Sequence, residues 1–128
     1  MLVYVSTLVL VVAGLVPSPF ERRSEWERVG PDKFLHLVGH GVYAMLVADV
    51  VASDVSSDRS AAVLGVGVST LLSLVTGRLQ NAVPGRAFEL ADVVAGLVGS
   101  VLCTYWWCAI RRDADVDNCP DRRKRPWP

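Results

Sequence analysis

Charge along this chain is confined to connectors. Acidic and basic residues cluster between 21 and 33, between 54 and 59, and after 110, and the stretches between them are nearly charge-free. Long apolar runs separated by charged connectors are the pattern of a polytopic membrane protein rather than of a water-soluble core. Four runs can be read. Leu2 to Val16 is apolar apart from Ser6, Thr7 and the Tyr4 hydroxyl, and Pro17-Ser18-Pro19 ends it. It falls slightly short of the ~20 residues that cross a hydrocarbon core, and Pro17 to Phe20 would fill the interface. A signal peptide is the rival reading, but the run lacks a basic leader and a small-residue cleavage site, so a retained helix is expected. Phe34 to Ala52 is the second run, entered through Gly30-Pro31 and Asp32, whose carboxylate complements the helix dipole. After a polar loop, Ser53 to Arg59, the third begins at Ser60 or Ala61 and reaches Thr76, or further if Gly77 to Gln80 continue it. Phe88 to Ile110 is the fourth. It closes on Tyr105, Trp106 and Trp107 at the water boundary, and Arg111-Arg112 stop it.

Within the runs a finer period appears. Ala61, Gly65, Ser69, Ser73 and Gly77 are spaced by four, as are Asp92, Gly96, Ser100, Thr104 and Cys108, and His36, His40, Ala44, Ala48 and Ala52. Residues four apart share a helix face. Small residues there let helices approach closely in lipid, where hydrophobic exclusion between helices is absent. The stripes predict a compact four-helix bundle with its polar groups facing inward at one end. The expected fold is all-α, a transmembrane four-helix bundle over residues 1–110, followed by a charged, disordered tail over 111–128.

Composition adds little to this. Apolar residues make up 52% of the chain, mean hydropathy is +0.36 and formal net charge is zero. No global field points to nucleic acid. The three cysteines, Cys103, Cys108 and Cys119, have no metal-type spacing. Lys and Arg on the connectors give conflicting orientation signals. Arg22, Arg23, Arg28, Lys33, Arg78 and Arg86 compete with Arg59 and the basic run Arg122 to Arg125.

Candidate chemistry sits at the ends of the runs. Gln80 to Arg86 is a polar turn built on Pro84-Gly85, and Arg86, Glu89 and Asp92 follow at spacings of three. Asp32, Lys33, His36 and His40 open the second run. In an up-down bundle these groups share one membrane surface. Three readings follow. The groups form a paired network that fixes the bundle, since unpaired charge near lipid is costly. Alternatively they bind a polar headgroup, with Arg86 and Lys33 on phosphate and His36 as acid or base oriented by Asp32 or Asp92. The third reading is a metal or proton site on His36, His40 and Asp92, without the glutamate of a zinc-protease helix. Asp49, toward the other surface, is read as an interfacial residue near a helix end.

The pattern Asp32-Lys33-x-x-His36, a span, then Gln80 with Pro84-Gly85-Arg86 and Asp92 resembles the VanZ-like family, small polytopic membrane proteins related to a teicoplanin-resistance accessory protein. The resemblance covers roughly residues 30–105 and extends to Gly99. Gly77 and Gly96 stand where that family usually has Glu and Asn. The resemblance implies a four-to-five-helix membrane domain of largely undefined biochemistry. The expected protein is an integral membrane protein of the cell envelope, in the cell membrane, whose candidate binding cluster is Asp32, Lys33, His36, Gln80, Arg86 and Asp92. Its expected ligand is a polar lipid or glycan-precursor headgroup. The alternatives are a membrane-embedded enzyme acting on such a headgroup and a structural subunit with a membrane-protein partner. No cofactor, metal or catalytic residue is assigned.

Overall fold

The computed structural model describes residues 1–15, 31–83 and 88–118, the side chains of 31, 32 and 115–118 apart. It is an all-α bundle of four helices: α1 (Leu2–Leu15), α2 (Pro31–Val51), α3 (Asp58–Gln80) and α4 (Leu90–Asn118). Local chemistry explains their ends. Pro31 occupies the first helical position of α2, where its missing N–H costs nothing. Ser57 is extended (φ −159°, ψ 152°) and caps α3, its Oγ accepting from the Ser60 N–H at 3.2 Å. Asp58 in the first turn and Arg78 in the last complement the α3 dipole. The third run does continue through Gly77 to Gln80.

The fourth helix departs from expectation at both ends. It starts at Leu90 instead of Phe88, because the Phe88 N–H donates to Asn81 Oδ1 at 2.9 Å and clasps the connector. The Phe88 ring then packs on Gly77 and lies 5.7 Å from the Arg78 guanidinium. Nor does α4 end at Ile110. Arg111 is not a stop but a cross-tie. Its Nη1 reaches Asp49 Oδ1 at 3.1 Å, its Nε approaches Asp58 Oδ1 at 3.4 Å, and its guanidinium lies 4.8 Å over the Trp107 ring. The expected disordered tail is therefore corrected over 111–118, which is helix, while 119–128 lie outside the described residues.

Three helices are long and apolar enough to cross a membrane, over Lys33–Val51, Asp58–Gln80 and Leu90–Ala114. α1 is a shorter apolar helix of 14 residues, roughly 21 Å at 1.5 Å per residue. Pro17 to Phe20, expected to lengthen it, lie outside the described residues.

Pairing is up-down: His40 meets Ser69 and Gly65 abuts Ala44, so α2 and α3 are antiparallel. Gly41 lies against Cys103 and Asp49 reaches Arg111, so α2 and α4 run parallel. α1 packs on α2 and α3, and among the described residues it does not touch α4.

The interior is the small-residue stripes. Ala44, Ala48, Ala61, Ser69, Ser73, Ser100 and Thr104 are buried, as are Gly65, Gly77 and Gly96. The largest fully buried side chains are two serines, Ser69 and Ser100, whereas Val63, Leu71 and Leu102 are 71%, 62% and 58% exposed. Polar, small residues inside and large apolar residues outside invert the arrangement of a water-soluble bundle. Together with the spans this defines a membrane protein.

Candidate functional site

The start of α2, the end of α3 and the start of α4 meet at one end of the bundle. On α2, Lys33 and His36 are three residues apart; on α4, Glu89 just precedes the helix and Asp92 lies in its first turn. The two pairs face each other. Lys33 Nζ donates to Glu89 Oε2 at 3.3 Å. His36 Nε2 lies 3.8 Å from Asp92 Oδ2, both side chains largely buried. That separation is within ion-pair range for a protonated imidazole and too long for a hydrogen bond. Asp92 sits where the α4 dipole favours a negative charge.

One turn deeper, His40 is buried and stacks on His36, with ring centroids 5.8 Å apart and planes within 9°. Its Nδ1 is 3.0 Å from Ser69 Oγ on α3. Ser69 and Ser100 both reach the His40 carbonyl at 3.1 Å, and their hydroxyls are 3.1 Å from each other. Ser100 Oγ also lies 2.8 Å from the Gly96 carbonyl. Gly96 is glycine for a spatial reason: a Cβ there would stand 3.1 Å from His40 Cγ and Cδ2. The imidazole is thus held on one edge by α3 and on the other by the α4 backbone.

Of the six side chains expected to cluster, the structure brings Lys33, His36 and Asp92 to this end with α2 and α4. Gln80 is buried at the same end, but its Nε2 donates to the Gly14 carbonyl of α1 at 2.9 Å, tying the peripheral helix to α3. Thr7 Oγ1 to the Tyr43 hydroxyl, 3.1 Å, is a second tie of α1, on α2. Arg86, with Pro84 and Gly85, and the Asp32 side chain lie outside the described residues. The six-residue binding cluster read from the sequence omits Glu89, His40, Ser69 and Ser100, although the sequence places Glu89 and His40 at the same surface and His40, Ser69 and Ser100 on the stripes of period four. Among the described residues no group of three or more His, Cys, Asp and Glu side chains could hold a metal ion; the two imidazoles stack face to face. Asp49, at the opposite end, is largely exposed and also accepts from Trp107 Nε1 at 3.4 Å, as an interfacial residue would.

Chemically, the end cluster offers an amine, an imidazole and two carboxyl groups where two helices long and apolar enough to cross a membrane begin. No family model, no curated protein and no solved structure matches the chain.

Proposed function

We propose that this chain is an integral membrane protein of the cell envelope, akin to the VanZ-like proteins it resembles, that binds the anionic headgroup of a lipid or lipid-linked envelope precursor. One observation carries this reading: Lys33–Glu89 and His36–Asp92 form two adjoining pairs between α2 and α4 at one end of the bundle. Ionisable side chains largely buried inside a spanning bundle, as His36 and Asp92 are, are costly and are candidates for a functional site. A phosphate would replace Glu89 on Lys33, His36 would donate to it, and Asp92 would orient the ring. Arg86, six residues before Asp92 in sequence, would add a planar fork suited to phosphate.

A second reading, a polar network serving only to hold the bundle or a partner subunit, draws on Gln80, whose amide is spent on the α1 backbone. Native mass spectrometry separates the two. The full chain is extracted with its lipids and compared with Lys33→Ala and His36→Ala. The headgroup reading expects an anionic lipid retained by the wild type and lost from both variants. Equal lipid retention by folded wild type and variants sinks it.

A further inference from the structure

We propose that Ser69 fixes a proton on Nδ1 of His40, and that His40 so held is the positioning residue that sets the His36 ring toward Asp92. Proton counting carries the first half. Each serine brings one hydroxyl proton, and the His40 and Gly96 carbonyls can only accept. Ser69 Oγ lies 3.1 Å from the His40 carbonyl and 3.0 Å from His40 Nδ1. If Ser69 gives its proton to the carbonyl, its contact with Nδ1 is a hydrogen bond only when Nδ1 is the donor. Ser100 then has its own proton for the Gly96 carbonyl, 2.8 Å away. In this assignment three protons serve three of the five contacts in the node; with a bare Nδ1, two protons serve two, one hydrogen bond fewer in a buried site.

Geometry carries the second half. The His40 ring is tethered to Ser69 on α3 and lies against Gly96 on α4, where even a Cβ would stand 3.1 Å from it. The His36 ring lies parallel on it within 9°, at a centroid distance of 5.8 Å, inside the range for offset-stacked rings. The plane of His36 follows from that of His40, and that plane carries Nε2 to 3.8 Å from Asp92. The groups around this pair are Lys33 on α2, Ser69 on α3, and Glu89, Asp92 and Ser100 at or within α4.

The positioning role deepens the headgroup reading and rests on it, but its test needs no ligand. The full chain, labelled with ¹⁵N-histidine, is placed in lipid nanodiscs and its imidazole nitrogens are read by NMR. His40 Nδ1 is expected as a protonated nitrogen with a resolved one-bond coupling to hydrogen. A bare Nδ1 in the wild type overturns the proposal without any variant. Ser69→Ala is expected to redistribute the His40 proton and to shift and broaden the His36 signals. Ser100→Ala, which leaves the Ser69 contact in place, keeps Nδ1 protonated. Thr70→Ala, which removes a hydroxyl on the same helix that donates to the Val66 carbonyl at 2.8 Å, moves neither histidine. His36 signals unchanged in folded Ser69→Ala overturn the positioning role. Lipid loss and histidine signals are separate readouts, so failure of one reading is told from failure of the other.

Discussion

Two glycines on α3, two residues apart, offer a controlled test of how the bundle is held. A Cβ at Gly65 would run into the Ala44 carbonyl oxygen and stand 3.2 Å from the Ala48 Cβ and N. The obstacle is largely backbone, so it yields only if α2 and α3 separate. A Cβ at Gly67 would meet nothing within 4 Å. Replacing a mid-helix glycine by alanine favours the helix by roughly 0.5–1 kcal/mol through lost backbone entropy. Both positions share this gain, so it cancels in the comparison. What remains is the cost of forcing a methyl group into the crossing, about 1–3 kcal/mol. Gly65→Ala is therefore expected to be less stable than Gly67→Ala by about 1–3 kcal/mol, with Gly67→Ala at or above wild type. Reversible unfolding in mixed detergent micelles, followed by helical circular dichroism, measures the difference. Equal stabilities would refute the close α2–α3 crossing and, with it, the claim that spacing by four marks helix contact.

Asp92→Asn removes the carboxylate facing His36 and is expected to cost about 3 kcal/mol, while Asp58→Asn, whose Arg111 partner is half-exposed, costs at most about 1 kcal/mol after solvent screening; the same unfolding assay reads both. Gln80→Ala deletes the tie to the Gly14 carbonyl and should lower stability by about 1 kcal/mol, with faster amide exchange in α1 than in α2 or α4; uniform exchange across the helices would show that the tie does not hold α1. Single cysteines at Ser56, Ala82 and Asp113, in a chain lacking its native cysteines, should label with Ser56 and Asp113 on one side and Ala82 on the other, as the up-down order of α2, α3 and α4 requires; labelling of all three from one side contradicts it.

The spans and their buried faces were readable because one physical rule, close approach of small side chains in lipid, leaves a period of four in the sequence. That period marked Ala44, Gly65, Ser69, Gly96 and Ser100 before any contact was known, and these are buried. The ends of α4 were not readable, because they depend on partners distant in sequence. Phe88 is kept out of the helix by Asn81, and Arg111 is drawn into it by Asp49 and Asp58. A pair of arginines after a tryptophan belt looks the same on the page whether it ends a helix or ties two others to it. The polar cluster was half legible. Matching His36 with Asp92 needed only the helix order. The partner of Gln80 could not be inferred, because nothing in its own neighbourhood points to a carbonyl 66 residues away.

The clasp at Phe88 and the cross-tie at Arg111 have a mechanical consequence. One holds α4 to the end of α3, the other holds it to the end of α2 and the start of α3, and they lie at opposite ends of the same helix. A piston stroke of α4 by one turn, about 5.4 Å, would pull both apart at once. Rotation or tilt about the glycine crossings would strain them far less. With both ties in place, α4 is freer to lean about the glycine crossings than to slide along its own axis.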